Sequence, residues 1–418
     1  MKKVLFSGMI GNGFEWYDFA LYAQMALVFS KLFFPADNES AHLLMTYGIF
    51  AAGFVARPLG GVLFGWIGDK FGRKTSLSIA MFMMAVPTGC IGLLPTYAHI
   101  GIWAPVLLTL IRILQGLSLG GVYSGSTTFV VEHAPPEKRG FISSAINASL
   151  VFGFLLGSLV TMLIKLPMSA ESFESWGWRV PFLLGAGIGF VGFFIRSHCH
   201  ESPVYTQAKE DGAISAKPVR ELVKHYRISL LRTIAIFLAV TVPFYILTVY
   251  FLAYTQRGMG RSADDAFIIN TSNMAIMLVT CLLGGWLSDS WGRRKVMLAG
   301  AGGYILLTWP IFHLLTPDLP FAQIMLAQGL FAAVVGFYIA PLGALFVESF
   351  PTRVRYTGIA LSYNLCASIF GGTAPMAAAW LVEHTGSIMA VAAYIIGCAL
   401  VAAVALYSYE DKYKEALC

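Results

Sequence analysis

The chain has 418 residues, of which 57% are hydrophobic and only 12% are charged, and its formal net charge is +6. A soluble protein of this length needs far more charge to cover its surface, so the composition excludes a soluble enzyme or binding domain. The positive charge does not indicate a nucleic-acid-binding protein, because the basic residues are concentrated on one side of a multi-span membrane topology.

Apolar runs long enough to cross a bilayer, which takes about 20 residues each, recur along the whole chain. They predict twelve transmembrane helices, at 5–34, 43–67, 76–95, 101–132, 141–165, 180–197, 229–254, 265–287, 296–315, 321–349, 356–382 and 388–408. The longest polar segment divides them six and six. We therefore expect an all-α integral membrane protein, with a six-helix bundle at 1–197, a cytoplasmic linker at 198–228 and a second six-helix bundle at 229–418.

Most of the 28 Lys and Arg residues fall in the segments that lie on one side of this topology. By the positive-inside rule, that side is cytoplasmic and holds both termini. The start of the chain resembles a signal peptide, but Glu15 and Asp18 interrupt its apolar run, so we interpret it as an uncleaved first span. The predicted location is the bacterial inner membrane.

The first span carries two acidic residues near mid-depth, Glu15 and Asp18, which share a helix face because they are three positions apart. Ionisable side chains inside a span are costly and are functional candidates by default. Repulsion between two nearby carboxylates favours binding of a proton by one of them, so we interpret the pair as the proton-coupling site. The alternative is a structural hydrogen bond to a neighbouring helix.

Two arginines also lie inside spans, Arg57 in the second and Arg112 near mid-depth of the fourth. Arginine stays charged and offers a planar fork that fits a carboxylate. Arg112 is predicted to hold a substrate carboxylate, to neutralise Glu15 or Asp18 when the site is empty, or to exchange between the two; the alternative is a permanent ion pair. Arg57 is predicted to contact the substrate, with snorkelling or pairing across the bundle as alternatives.

Aromatic and amide side chains in other spans are candidates for lining a substrate cavity. Aromatic rings can bind a quaternary amine through cation–π contacts, and amides buried in lipid need partners. Packing is the alternative for the rings. The substrate-binding candidates of this kind are Tyr17, Tyr123, Asn147, Tyr245 and Asn364.

A duplicated motif follows the second span of each half: GWIGDKFGRK at 65–74 and GWLSDSWGRRK at 285–295. Duplication at matching positions indicates an internal repeat. The aspartate can accept hydrogen bonds from a helix N-terminus, and the arginine can pair with an acidic group such as those ending spans four and ten. We interpret these residues as latches that gate transport, against the alternative of solvated surface charge; they are Asp69, Arg73, Glu132, Asp289, Arg293 and Glu348.

Further motifs occur in chain order at 11–19 (GNGFEWYDF), 56–61 (ARPLGG), 112–121 (RILQGLSLGG), 132–135 (EHAP), 138–140 (KRG), 176–182 (WGWRVPF), 201–203 (ESP), 363–365 (YNL) and 370–375 (FGGTAP). Through them the chain resembles the major facilitator superfamily, and within it the metabolite:proton symporter branch. Segments 100–105 (IGIWAP) and 379–383 (AWLVE) resemble the proline/betaine transporters most. Val122 departs from the pattern, since relatives usually carry Glu there. The resemblance implies two bundles that rock around a midplane site.

The expected function is proton-coupled uptake of a small carboxylate-bearing metabolite, and a single mid-depth arginine favours a zwitterion such as proline or betaine. Alternatives are symport of 2-oxoglutarate, citrate or shikimate, and export of drugs or siderophores. A membrane enzyme is disfavoured because no nucleophile–base or metal motif occurs, and a transporter-like sensor because we expect it to carry an added signalling domain. The expected partners are substrate, proton and lipid bilayer, and we expect a monomer with no cofactor, no metal and no bound nucleic acid.

Overall fold

The computed structural model describes residues 2–34 and 39–417, and the regular secondary structure in that part of the chain is helical. The long helical segments are α1 (Lys2–Phe33), α2 (Glu39–Phe71), α3 (Arg73–Leu93), α4 (Trp103–Glu132), α5 (Arg139–Lys165), α6 (Arg179–Ser197), α7 (Arg227–Arg257), α8 (Ala263–Trp291), α9 (Arg293–Leu314), α10 (Phe321–Ser349), α11 (Arg355–Thr385) and α12 (Met389–Tyr407).

The lengths and composition of these segments match membrane spans. Ten of them, α3 to α12, are both long and apolar enough to cross a bilayer. The other two, α1 and α2, have 32 and 33 residues. At 1.5 Å per residue they extend about 48 Å, well beyond a hydrocarbon core of about 30 Å. The predicted twelve-helix, all-α fold is confirmed.

Shorter helices lie between the spans or interrupt them. They are Tyr97–Ile100, Pro136–Lys138, Ala170–Ser172, Phe173–Gly177, Pro203–Glu210 and Pro218–His225. Two spans contain a π-helical turn, Ile246–Tyr250 in α7 and Ala367–Gly371 in α11. Such turns often occur at functional sites. The one in α7 follows directly after Tyr245, a predicted cavity residue.

Glycine conformation separates the helices at both copies of the duplicated motif. Gly72 stands between α2 and α3 with φ 111°, and Gly292 stands between α8 and α9 with φ 96°. Glycine adopts positive φ without the steric cost that a side chain brings. Each copy therefore turns the chain within a single residue, and an arginine begins the next helix.

The chain forms two compact units. The first consists of Met1–His133, Ser149–Val219 and Thr352–Leu361, and the second of Ala134–Ala148, Arg220–Pro351 and Ser362–Cys418. Each unit thus takes most of its residues from one half of the sequence and a short stretch from the other half. The predicted division of the sequence at 198–228 stays a prediction.

Helix packing repeats from one unit to the other. In the first unit α2 packs on α4, α3 packs on α4 and α6, and α1 packs on α4 and α6. In the second unit α8 packs on α10, α9 packs on α10 and α12, and α7 packs on α12. The equivalent partners agree with an internal repeat of six spans.

Helices α2 and α4, which carry Arg57 and Arg112, approach each other closely at two glycines. A Cβ atom added to Gly60 would lie 1.9 Å from the carbonyl oxygen of Leu117, and one added to Gly116 would lie 2.1 Å from that of Gly53. Small residues let membrane helices approach until their backbones touch. The two backbones therefore touch at Gly60 and Gly116, where a larger side chain would not fit.

Candidate functional site

A buried ion pair joins α1 to α4 in the first unit. Arg112 donates from Nη1 to Asp18 Oδ2 across 2.9 Å. The side chain of Asp18 is 3% exposed and that of Arg112 is 7% exposed. Charges buried this deeply are stable only when they are paired and hydrogen-bonded, so each residue fixes the position of the other.

Two neutral polar side chains complete the environment of this pair. Gln115 accepts from Arg112 Nη1 at 2.9 Å and donates from Nε2 to Asp18 Oδ1 at 2.9 Å. Thr88 of α3 donates to the same Asp18 oxygen at 2.8 Å. Asp18 therefore accepts three hydrogen bonds from three different side chains, an arrangement that suits a carboxylate.

The other edge of the Arg112 guanidinium is not used within the described part of the chain. Nε and Nη2 have no hydrogen-bond partner there, although both atoms are buried. The Tyr22 ring covers one face of the group, with its centroid 3.6 Å from Cζ. Nε and Nη2 form the side of arginine that can donate two parallel hydrogen bonds to a carboxylate.

A second buried ion pair lies one turn earlier on α1. Arg57 of α2 donates from Nη2 to Glu15 Oε1 at 3.1 Å, and both side chains are 2% exposed. The Arg57 guanidinium also lies 5.5 Å from the centre of the Phe54 ring. The second oxygen of Glu15, Oε2, is buried without a hydrogen-bond partner among the residues that the structure describes.

The structure places the remaining substrate-binding candidates in both units. In the first unit, the Tyr17 hydroxyl donates to the carbonyl of Pro181 at 2.7 Å, and Tyr123 is buried in α4. In the second unit, Asn147 donates from Nδ2 to the carbonyl of Ile339 at 3.0 Å. Tyr245 and Asn364 are also buried in the second unit. Among the proton-coupling and substrate-binding candidates that the structure describes, Glu15, Asp18, Arg57 and Arg112 form ion pairs.

Sequence reasoning missed the neutral members of the site, which are Thr88, Gln115 and Tyr22. A signal was available for Gln115, because it lies three residues after Arg112 and thus on the same helix face. Any polar side chain within an apolar span requires a partner, and this argument also applies to Thr88. Tyr22 had no comparable signal, since an aromatic ring in a span is usually explained by packing.

The first copy of the duplicated motif binds the start of α11. Asp69 accepts backbone N–H groups from Tyr356 at 3.0 Å and Thr357 at 2.9 Å. The first N–H groups of a helix have no partner within it and carry partial positive charge, so a carboxylate fits there. Arg73 lies 3.2 Å from Asp69 and also pairs with Glu132 at 3.3 Å.

Additional contacts converge on Glu132 and Arg73. Glu132 accepts from Arg355 of α11 at 2.7 Å and from the hydroxyl of Ser202. The Tyr205 ring lies over the Arg73 guanidinium at 4.7 Å, and its hydroxyl donates to the carbonyl of Lys70 at 2.9 Å. Burial raises the pKa of Tyr205, which keeps this hydroxyl protonated and able to donate.

The second copy of the motif repeats this arrangement at the start of α5. Asp289 accepts backbone N–H groups from Gly140 at 2.7 Å and Phe141 at 2.9 Å. Arg293 pairs with Asp289 at 2.8 Å and with Glu348 at 3.2 Å. The six residues predicted as gates therefore form two equivalent clusters, one in each unit.

Each copy of the duplicated motif is followed by a helix, α3 or α9. The N-terminus of that helix is capped by an acidic residue that comes after the sixth span of the same half. Glu201 accepts from the backbone N–H of Lys74, with distances of 3.1 and 3.2 Å to its two oxygens. Asp411 accepts from that of Arg294 at 2.9 Å. These caps satisfy N–H groups at the starts of α3 and α9.

Among the residues covered by the structure, no three His, Cys, Asp or Glu side chains are grouped to hold a metal ion.

Comparison with known proteins identifies the family to which the chain belongs. Residues 4–221 match the family model described as sugar (and other) transporter, and residues 262–417 match that of the Major Facilitator Superfamily. A proline/betaine transporter of Salmonella typhimurium is 35% identical, over 98% of this chain and 84% of its own length. A glycine betaine/proline/ectoine/pipecolic acid transporter of Dickeya dadantii, OusA, is 34% identical, over 96% of this chain and 81% of its own length.

Solved structures share the fold at lower identity. The proton:xylose symporter XylE, bound to 6-bromo-6-deoxy-D-glucose, superposes with a TM-score of 0.82 at 19% identity, covering 99% of this chain and 97% of its own. An inward-open, partially occluded XylE from E. coli gives a TM-score of 0.69, with 99% of both chains covered. Helix number, repeated motif and full-length relatives agree, and the chain belongs to the major facilitator superfamily of membrane transporters.

Proposed function

We propose that the protein is a proton-coupled symporter that takes up a small zwitterion with one carboxylate, such as proline or a betaine. Relatives that match nearly its whole length are named as transporters of such compounds. The observation that carries the proposal is the unused edge of Arg112. This edge offers two buried N–H donors, Nε and Nη2, with no partner in the described chain.

A substrate carboxylate fits that edge by charge and by geometry. Two parallel hydrogen bonds from Nε and Nη2 would satisfy both donors and also neutralise the guanidinium. The free energy gained is large because an unsatisfied buried donor costs roughly 1–3 kcal/mol. A dicarboxylate or tricarboxylate would bring further negative charge, whereas Arg57 already pairs with Glu15 at 3.1 Å.

Coupling to a proton follows from competition for Arg112. The guanidinium holds Asp18 at 2.9 Å, so a bound substrate carboxylate places two negative groups against one cation. A proton on Asp18 removes one of these negative charges and makes the site electrically neutral again. We assign Asp18 and Glu15 as the proton-coupling residues. Oε2 of Glu15, which has no hydrogen-bond partner in the described part of the chain, offers a second position for a proton.

The remaining candidates are assigned to the rest of the substrate and to gating. Ring faces suit the cationic amine of a zwitterion, and amides suit its polar atoms. We therefore retain as lining residues Arg57, Tyr17, Tyr123, Asn147, Tyr245 and Asn364. The clusters around Asp69 and Asp289 are proposed as latches that must open for α11 and α5 to move during transport.

The proposed setting is the bacterial inner membrane, with both termini cytoplasmic. The protein is proposed to act as a monomer and to bind no nucleic acid. The two predicted six-helix bundles, 1–197 and 229–418, would be joined by the linker 198–228. The basic residues that define this orientation include Lys2, Lys3 and Lys74.

The test is uptake of labelled proline and glycine betaine into proteoliposomes, with and without an inward proton gradient. We expect Arg112→Met to abolish uptake, and Arg112→Lys to reduce it at least tenfold because lysine lacks the side-on pair of donors. Lys165→Met is the control, since it removes a positive charge at the exposed end of α5. Wild-type rates in the Arg112→Met protein would contradict the proposal.

The same vesicles test the alternatives. Labelled 2-oxoglutarate, citrate and shikimate replace the zwitterions in parallel assays. Saturable, gradient-driven uptake of one of these acids without uptake of proline or betaine would reject the zwitterion assignment but retain symport. Efflux of a preloaded compound against its gradient would instead indicate an exporter.

A further inference from the structure

The Thr88 hydroxyl has two acceptors within reach and only one hydrogen to donate. Its Oγ1 lies 2.8 Å from Asp18 Oδ1 and 2.9 Å from the carbonyl oxygen of Met84, one turn earlier on α3. It also accepts from Gln115 Nε2 at 2.8 Å. A hydroxyl can rotate its hydrogen between two such acceptors without any movement of heavy atoms.

The two rotations fit the two charge states of Asp18. When Asp18 is a carboxylate, it needs donors, and Thr88 supplies one to Oδ1. When a proton sits on Oδ1, that oxygen becomes a donor and needs an acceptor at the same distance. Thr88 can become this acceptor if its own hydrogen turns to the Met84 carbonyl. Arg112 cannot take this role because a guanidinium carries no acceptor.

We propose that Thr88 is a positioning residue whose hydroxyl rotates to let Asp18 bind and release the transported proton. The proposal deepens the function proposed above and rests on it. An O–H bond forms at Asp18 Oδ1, a hydronium ion from the aqueous side of the membrane loses the same proton, and the carboxylate becomes neutral. Thr88 keeps its own hydrogen throughout and only changes its acceptor. Arg112 remains charged and offers its Nε and Nη2 donors to the substrate carboxylate.

Other groups around Asp18 do not offer this exchange. Gln115 presents its Nε2 donor to Asp18, while its carbonyl oxygen accepts from Arg112. Its own helix carries Glu15, Tyr17 and Tyr22; α2 contributes Arg57 and α4 contributes Arg112. Glu15 is paired with Arg57, and the Tyr17 hydroxyl donates to Pro181 of α6. In the described part of α3, the group that contacts Asp18 is the neutral Thr88.

Two substitutions at position 88 separate the hydroxyl from its methyl group. Thr88→Val keeps the shape of the side chain and removes the hydroxyl. Thr88→Ser keeps the hydroxyl and removes the methyl, which faces Gly185 of α6: a Cβ added to Gly185 would lie 3.3 Å from it. A role in packing predicts that Ser is the more harmful change, whereas a role in proton binding predicts that Val is.

The experiment measures initial uptake of labelled proline into proteoliposomes as a function of external pH for the wild type and both variants. Thr88→Val removes a hydrogen bond from each charge state, and the bond to the carboxylate is about twice as strong as the neutral one. The pH of half-maximal uptake should therefore shift to higher pH by about half to one unit. Thr88→Ser should keep the wild-type midpoint.

The possible results distinguish an error in the role of Thr88 from an error in the proposed proton symport. A wild-type midpoint in a transporting Thr88→Val protein would overturn the role of Thr88, as would an equal shift in both variants. If Thr88→Val does not transport, its proton uptake on adding proline in weakly buffered detergent solution replaces the assay, and a wild-type pH dependence there would overturn the role equally. Uptake by the wild type that ignores the proton gradient would instead overturn the proposed symport itself.

Discussion

Two buried ion pairs on successive turns of α1 define the site at the scale of single residues. Asp18 pairs with Arg112 and Glu15 pairs with Arg57, and all four side chains are almost fully buried. Breaking one partner of such a pair leaves an uncompensated charge, which is more harmful than removing both. Within a membrane span such a charge is especially costly in free energy, because the hydrocarbon region does not solvate it as water does.

This asymmetry predicts the behaviour of the Glu15 and Arg57 pair. Glu15→Gln should leave Arg57 charged and lower the free energy of unfolding by about 3–5 kcal/mol. The double variant Glu15→Leu/Arg57→Met should be less destabilised than Glu15→Gln alone, because it removes both charges of this pair. Thermal unfolding in detergent measures both.

A surface ion pair supplies the matched control. Lys31 and Glu174 lie 2.7 Å apart, but their side chains are 55% and 42% exposed. Lys31→Met should therefore change the free energy of unfolding by less than about 1 kcal/mol. Equal destabilisation by Glu15→Gln and Lys31→Met would mean that burial of the Glu15 pair has no energetic consequence.

The sequence analysis identified the charged residues that lie within the spans, but it did not predict which of them form ion pairs with each other. Depth along the helices, at 1.5 Å per residue, placed Glu15, Asp18 and Arg112 at a similar level. The choice of Asp18 as the partner of Arg112 depends on how α1 packs against α4, which the depth of a residue along its own helix does not reveal. The neutral residues Thr88 and Gln115 gain their importance only from these contacts, so composition and periodicity did not single them out.

At the scale of elements, the duplicated motif places a carboxylate at the start of a helix in each unit. Asp69 caps α11 and Asp289 caps α5, each through two backbone N–H groups. The partial positive charge of a helix N-terminus strengthens these bonds. The motif itself indicated a helix N-terminus as the partner, whereas the identity of α11 and α5 required the folded structure.

Asparagine at these positions tests the proposed latches. Asp69→Asn and Asp289→Asn each lose the negative charge and replace one acceptor by an N–H₂ group that faces an N–H donor. We expect either change to reduce the maximal rate of uptake several-fold by altering the balance between conformations, while substrate still stabilises the protein against heating.

An exposed aspartate outside the clusters serves as the control for both variants. Asp318 lies between α9 and α10 and is exposed, so Asp318→Asn should transport at the wild-type rate. If the two motif variants transport like Asp318→Asn, the contacts of Asp69 and Asp289 contribute to folding alone and the latch assignment is wrong.

At the scale of the whole molecule, the proposed orientation can be measured directly. Single cysteines at the exposed positions Lys209 and Asp318, in a chain whose native cysteines are replaced by serine, should react with a membrane-impermeant maleimide from opposite sides of the membrane. In intact cells Asp318→Cys should be labelled and Lys209→Cys protected; after lysis both should be labelled. The reverse pattern would invert the topology derived from the basic residues.

Twelve spans were predictable because lipid imposes a length and an apolar composition on each helix. The bounds agree within a few residues, as for the last span, predicted at 388–408 and found at Met389–Tyr407. The predicted linker contains two helices, Pro203–Glu210 and Pro218–His225, which are too short and polar to appear in a search for spans. Residues 134–148 belong to the unit formed mainly by the second half of the sequence, and residues 352–361 to the unit formed mainly by the first half. Both assignments depend on tertiary contacts, which the composition of these stretches does not reveal.

This exchange of short stretches constrains how the gene can be divided. A cut within 198–228 yields two fragments, and neither contains all residues of one unit. The N-terminal fragment would retain Asp69 and Glu132 but lose their partners Tyr356, Thr357 and Arg355, which lie on the other fragment. We therefore expect the two fragments to fold only when they are expressed together in the same cell, because each fragment supplies residues that the other needs to complete its unit.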